Sequence, residues 1–155
     1  MITILSIGEV KDKNTVSLIQ EYLKRLSNER ILLQSVKEEK ATNDSEAVKK
    51  KEGERLLEKV EKQEKNTSTS LIIALAEEGK TMNSISFAEF LKKNQEKNIV
   101  FVIGGAYGLH ETVKKKAHLL LSLSPMTFPH EIALLLLVEQ IYRAMMINSG
   151  RKYQK

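Results

Sequence analysis

Ile99-Val100-Phe101-Val102-Ile103 is apolar without a break, and Gly104-Gly105-Ala106-Tyr107-Gly108 follows at once. Such a run reads as a strand buried on both faces, which requires a sheet covered on its two sides. Three glycines in the next five residues allow backbone angles and close approaches that side chains forbid, so something is expected to come near that backbone. A short polar helix candidate follows, then a second apolar segment from His118 to Leu123. Ser124-Pro125-Met126-Thr127-Phe128-Pro129 comes next and holds both prolines of the chain. Two strand-end loops, one short helix apart, point to a single ligand site.

The rest of the chain alternates between strand and helix patterns. Ile2 to Ile7 reads as a strand ended by Gly8, and Thr15 to Leu26 as an amphipathic helix carrying Val16, Ile19, Leu23 and Leu26. Ile31 to Val36 is a second strand. After an exposed loop, a charged helix from about Ser45 to Lys62 has a thin stripe of Val48, Leu56, Leu57 and Val60, with Asp44 or Ser45 as its N-cap. Ser70 to Leu75 is a third strand, followed by Ala76-Glu77-Glu78-Gly79-Lys80. Ser84 then caps a helix with Phe87, Phe90 and Leu91. A helix begins near Glu111, and Leu119 to Leu121 forms a short fifth strand.

This order predicts an α/β domain over residues 1–155, with a mainly parallel sheet and helices on both faces. Sheets of that kind bind ligands beyond the carboxyl ends of their strands. Special loops stand at three such ends, after Leu75, Ile103 and Leu121. The last helix, about His130 to Ser149, is apolar most of the way round. We read it as the self-association surface of a symmetric dimer, with a central core helix as the alternative.

Several chemistries are excluded. The chain has no cysteine, which rules out disulfides, thiolate zinc sites and a cysteine nucleophile and fits a reducing compartment. His110, His118 and His130 have no metal-ligand spacing, so no metal is expected. The longest apolar run, Ile132 to Val138, is far too short for a membrane span, and the N-terminus lacks a basic leader. A soluble, cytoplasmic protein is expected. A net charge of +5 favours polyanions only modestly, because 20 acidic residues are interspersed among 25 basic ones. Gly104-Gly105-x-x-Gly108 lacks both the dinucleotide spacing and the Gly-Lys-Ser/Thr ending of a triphosphate loop, and alone it fits a tight turn equally well. No Gly-x-Ser-x-Gly elbow is present. Lys49-Lys50-Lys51 reads as a solvated helix face, and Glu139 with Arg143 as an (i, i+4) pair.

Taken together, Lys51-Glu52-Gly53, Leu75-x-x-x-Gly79-Lys80, Val102-Ile103-Gly104-Gly105-x-x-Gly108-Leu109, Leu121-Ser122-Leu123-Ser124-x-Met126-Thr127-Phe128-Pro129-His130 and Glu139-Gln140-x-Tyr142-Arg143-Ala144 resemble one family. It is the small bacterial methyltransferase of 23S ribosomal RNA that modifies N3 of a pseudouridine, a member of the SPOUT class. The resemblance covers nearly the whole chain. It implies a SPOUT-type α/β knot (a C-terminal trefoil knot), a homodimer, and S-adenosylmethionine as methyl donor without a metal. The implied partner is 23S RNA on the assembled ribosome, with no DNA and no membrane.

Carried onto this chain, the implied cofactor contacts are Leu75, Gly104, Leu123, Ser124, Pro125, Met126, Thr127 and Phe128. Apolar walls for an adenine, with no phosphate to bind, agree with the missing lysine-ended loop. Methyl transfer needs positioning more than side-chain chemistry, but the imide proton at N3 must leave. His130 is the candidate for assisting that step or for positioning RNA. Arg143 and Tyr153 are candidate RNA contacts from a partner subunit. Three positions depart from the family pattern: Ala76 replaces an acidic residue, Leu134 an arginine and Gln154 a histidine. The alternative is therefore a dimeric RNA- or ribosome-binding protein of the same fold with weak or lost activity. A third reading is a phosphate-ligand enzyme on a doubly wound sheet.

Overall fold

The computed structural model of the chain describes residues 1–65, 69–151 and 153. Its elements are β1 (Ile2–Ile7), α1 (Lys13–Arg25), β2 (Ile31–Val36), α2 (Ser45–Lys65), β3 (Ser70–Thr81), α3 (Ser84–Lys93), β4 (Asn98–Ile103), α4 (Glu111–Lys116), β5 (Leu119–Ser122) and α5 (His130–Asn148). The strands form one sheet in the order β2-β1-β4-β3-β5, and every pairing is parallel.

β4 is buried at each of its positions because alternate residues supply two different cores. Ile99, Phe101 and Ile103 pack with Ile19 of α1, Phe87 and Leu91 of α3, and Leu134, Leu137 and Ile141 of α5. Val100 and Val102 face the other way, onto Leu56 and Val60 of α2 and Val113 of α4. Helices therefore cover both faces, as the uninterrupted apolar run requires.

α2, α4 and α5 start where the sequence reading puts them, while α1 and α3 start a residue or two earlier, for a common reason. Asp12 accepts the Thr15 amide and hydroxyl, both at 2.7 Å, so α1 begins at Lys13. Asp44 accepts from the Ala47 amide at 3.0 Å and is the cap of α2. Asn83, not Ser84, caps α3 by accepting from the Ser86 amide at 2.8 Å. Both residue types cap well, and the one whose side chain reaches the third amide onward takes the position. Ser84 is thus free to donate to Gln140 of α5 at 2.7 Å.

β3 does not stop at Leu75. It continues to Thr81 through a register jump in which Leu75 and Lys80 both stand opposite Leu121 of β5. Residues 76–79 are thrown out of the ladder. Gly79 then returns against the backbone of β5, where an added Cβ would lie 2.6 Å from the Leu120 carbonyl carbon.

The path after β5 matters for the site. β5 is an edge strand, yet α5 packs between α1 and α3 and touches β1 and β4 at the sheet centre. The chain must cross back over β3, and the segment from Leu123 to Pro129 makes that crossing. Leu134, Leu137, Val138, Ile141 and Ala144 of α5 are at most 1% exposed, and full burial of each large side chain is worth roughly 1.5–3 kcal/mol. A central core helix thus accounts for most of the apolar circumference of α5. Ile132 and Leu136 remain over a third exposed. Among the described residues, no helix is long and apolar enough to cross a membrane.

Gly79→Ala tests the register jump, because the neighbouring atoms are backbone and cannot turn aside. It is expected to cost about 1–3 kcal/mol. An unchanged urea midpoint would show that the close approach to Leu120 is not required.

Candidate functional site

A cavity of about 660 Å³ opens above the carboxyl ends of β3, β4 and β5. Leu75, Ala76, Glu77 and Glu78 from the register jump form one wall, and Ile103 to Leu109 form the second. The third is the crossing segment, through Leu123, Ser124, Met126, Thr127, Phe128, Pro129 and His130. Lys49 of α2, Lys114 of α4 and Ala133 of α5 complete the rim. The crossing segment is held by a local turn in which the Met126 amide donates to Ser124 Oγ at 3.0 Å.

Leu75, Gly104, Leu123, Ser124, Met126, Thr127, Phe128 and His130 therefore lie around one space. Pro125 is exposed on the same segment but outside the lining. Arg143 and Tyr153 are elsewhere. Arg143 pairs with Glu139 at 2.5 Å and its guanidinium lies 4.7 Å from the Tyr153 ring centroid. Tyr142 packs edge-on against Tyr153 at 4.9 Å. Thirteen residues separate His130 from Arg143 on α5, about 20 Å along a helix, so they do not share this cavity. Gln154 lies outside the described residues.

The glycine loop is packed closely against the protein on one side and lines the cavity on the other. The Gly108 amide donates to the Gly105 carbonyl at 3.0 Å, closing a turn in which Gly108 has φ +80. A Cβ on Gly104 would meet the Gly108 carbonyl carbon at 2.7 Å, and one on Gly105 would meet Glu52 Oε2 at 2.8 Å. What comes close to Gly104 and Gly105 is the protein itself. The loop folds on its own backbone and rests on a buried carboxyl.

That carboxyl is unusual. Glu52 is 4% exposed; its Oε1 accepts from the Glu39 amide at 3.1 Å, while Oε2 has no partner among the described residues. Burial pushes its pKa above the usual carboxylate range, and the charges of Glu38 and Glu39 add to this; the Glu39 amide and Arg55 oppose it. Arg55 is committed elsewhere, donating to Glu39 at 2.6 Å and to the Lys37 carbonyl at 3.0 Å.

Two contacts cross between the walls. Thr127 Oγ1 donates to Glu77 Oε1 at 2.7 Å, and Lys114 pairs with Glu78 at 2.5 Å. The Lys114 ammonium holds the Glu78 carboxyl below its ordinary range. On the far side, His130 Nε2 is buried without a partner among the described residues. The place a Gly8 Cβ would occupy is 3.4 Å from His130 Nε2 and 3.3 Å from Glu38 Oε2. Lys11 closes this side, pairing with Glu38 at 2.9 Å while its amide donates to Glu131 at 2.7 Å.

Sequence reasoning did not single out Glu77, Tyr107, Lys114 or the burial of Glu52. Ala133 follows His130 by one helical turn, which could have marked it. Nothing in the spacing of Glu77 distinguishes it from Glu78, because the register jump that turns both toward the cavity depends on pairing with β5.

A parallel sheet with its cavity gathered over the strand ends by three consecutive loops defines an α/β protein of the class that places its ligand site there. The family described as Predicted SPOUT methyltransferase matches residues 1–154, and the chain belongs to it. Among similar proteins, the Ribosomal RNA large subunit methyltransferase H of Acholeplasma laidlawii is 40% identical over 157 aligned positions, covering 99% of each chain. A protein of the same name from Prochlorococcus marinus is 50% identical over 86 residues, covering 56% of this chain and 63% of its own. A SpoU methyltransferase from Streptomyces viridochromogenes, solved with AdoMet, has a TM-score of 0.52 at 10% identity, covering 97% of this chain and 59% of that one, a likeness of fold.

Glu52→Gln tests the buried carboxyl. A carboxyl whose folded pKa is raised stabilises the fold fully below its unfolded pKa and loses that contribution as pH rises through the folded value. Denaturation midpoints should therefore fall less for the variant than for the parent between acid and neutral pH. Parallel curves would mean that Glu52 is not held protonated by its surroundings.

Proposed function

We propose that this chain transfers the methyl group of S-adenosylmethionine to large-subunit ribosomal RNA, at N3 of a pseudouridine in 23S RNA on the assembled ribosome. The names of the relatives support the RNA class, and the AdoMet-bound neighbour supports the donor. The observation that carries the reading is the character of the cavity. Glu77 and Glu78 line it, its two lysines, Lys114 and Lys49, are paired with Glu78 and Glu46, and Leu75, Leu123, Met126 and Phe128 supply apolar wall. A sulfonium cofactor with an adenine suits those groups, and a phosphorylated ligand does not, which disfavours the phosphate-enzyme reading. Its volume falls within the range of about 300–1,000 Å³ usual for such ligands.

When bound, the cofactor supplies a methyl on positively charged sulfur for in-line transfer. The chain's share is to hold adenine between the loops of Leu75, Gly104 and Leu123 to Phe128, with Pro125 stiffening the last of these. His130 presents Nε2, whose missing partner is explained if it meets the acceptor base and takes the N3 proton. Exposed Ile132 and Leu136 on α5 are the proposed start of a homodimer contact, by which Arg143 and Tyr153 of one copy would serve RNA bound at the other.

A second reading keeps the fold and RNA binding but not efficient turnover. It is favoured by Leu134, which is 1% exposed in the core where the family resemblance implies an arginine, and by Ala76 on the cavity wall.

Titration calorimetry with S-adenosylmethionine tests the cofactor site. Mass spectrometry of ribosomal RNA from cells lacking the gene separates the two readings: loss of one methyl supports the first, an unchanged RNA the second. His130→Ala is expected to slow methylation roughly a hundredfold with cofactor affinity unchanged. Full turnover by that variant would remove His130 from the mechanism.

A further inference from the structure

We infer that Glu77 is the specificity-determining residue of the cavity, its carboxylate accepting the vicinal 2′- and 3′-hydroxyls of a nucleoside ribose in exchange for the Thr127 hydroxyl. This rests on the reading of the cavity as a site for S-adenosylmethionine.

The argument starts from the register jump. Residues 76–79 leave the ladder between β3 and β5, so Glu77 and Glu78 are carried out over the cavity. The two carboxylates then have different fates. Glu78 is committed to Lys114, whose ammonium lies 2.5 Å away. Glu77 has no ion pair among the described residues, and its partner is the neutral Thr127 hydroxyl at 2.7 Å. A hydroxyl donor is easily exchanged for another hydroxyl, whereas an ammonium is not.

Position selects the ligand group. Thr127 stands between Met126 and Phe128, the apolar part of the third wall. An adenine resting on that wall brings its ribose, one bond away, to the residue opposite Thr127. An ionised carboxylate has two acceptor oxygens and no donor, and a vicinal diol offers two O–H donors at matching separation. Hydrogen bonds to a charged acceptor are the strong ones, so losing them is readable as affinity. The competing guest is the ammonium of the cofactor's amino-acid tail, which lies beyond the sulfur, several bonds further from the adenine wall.

The experiment is a cycle of ligands and variants read by titration calorimetry. S-Adenosylhomocysteine, its 2′-deoxy analogue and 5′-methylthioadenosine, which keeps the ribose but lacks the ammonium, are titrated into the parent, Glu77→Gln and Glu77→Ala. Removing the 2′-hydroxyl is expected to weaken binding to the parent roughly tenfold or more, and to have little further effect on Glu77→Ala, because ligand group and side chain form one interaction. Glu77→Gln, which keeps one acceptor oxygen, should retain part of the discrimination. The loss caused by Glu77→Ala should persist with 5′-methylthioadenosine. A full deoxy penalty in Glu77→Ala overturns the inference while leaving the cofactor reading intact. A Glu77 effect that disappears with 5′-methylthioadenosine assigns the carboxylate to the ammonium and also overturns it. If the parent binds neither S-adenosylmethionine nor S-adenosylhomocysteine, the cofactor reading fails and the inference with it.

Discussion

The site depends on one pairing that cannot be continuous. Leu75 and Lys80 of β3 are both matched to Leu121 of β5, so the intervening residues must leave the sheet. Gly79 allows the strand to rejoin because its α-carbon lies against Leu120 backbone where no side chain fits. Without that return, β5 would have four residues of β3 sliding past it and the wall bearing Ala76, Glu77 and Glu78 would not project. The crossing from β5 to α5 then brings the segment of Leu123 to Pro129 over the same strand ends. A bulge and a crossing, both anchored on β3 and β5, produce two walls of the cavity, and the turn after β4 produces the third.

Charge is distributed to match. The cavity is lined by two carboxylates and two lysines, but the Lys114–Glu78 pair cancels one of each, and Lys49 is turned toward Glu46 at 2.5 Å. Glu77 remains as charge without an ionic partner among the described residues. Behind the glycine loop, Glu52 packs against Gly105 as a buried acid whose pKa is raised by that burial. This arrangement favours a cationic or neutral ligand over an anionic one, although the chain as a whole is basic. Net charge describes the surface that meets a polyanion, and the cavity has its own local balance.

How much of this was legible follows from the range of each interaction. The unbroken apolar run Ile99 to Ile103 reveals a strand buried on both faces, Ile2 to Ile7 reveals another with only the small Thr3 and Ser6 buried among its apolar residues, and the order of elements then implies a parallel sheet. Local chemistry also located the three loops. It could not tell Asn83 from Ser84 as a cap, since either side chain can accept the same amide. It could not reveal that β3 continues past Leu75, because the continuation is dictated by β5 some forty residues later. The glycines after Ile103 were visible as a loop, but their purpose was not. Contacts between Gly104 and the Gly108 backbone, and between Gly105 and Glu52 of α2, exist only once the chain has folded. Motifs in register supplied what periodicity lacked, joining segments whose adjacency depends on the crossing.

The apolar excess of α5 admits two explanations that the structure separates along its circumference. Leu134, Leu137, Val138 and Ile141 are consumed by packing against α1, α3 and the sheet, so most of the excess requires no second copy. Ile132 and Leu136 are not so consumed, and they lie on the first two turns of the helix. The polar and aromatic cluster of Glu139, Tyr142, Arg143 and Tyr153 lies toward the other end and is already ordered by Tyr22 and Arg25 of α1. α5 thus joins the cavity, which His130 and Ala133 line from its first turn, to an ordered polar cluster near its end in which Arg143 is held by Glu139 and the Tyr153 ring.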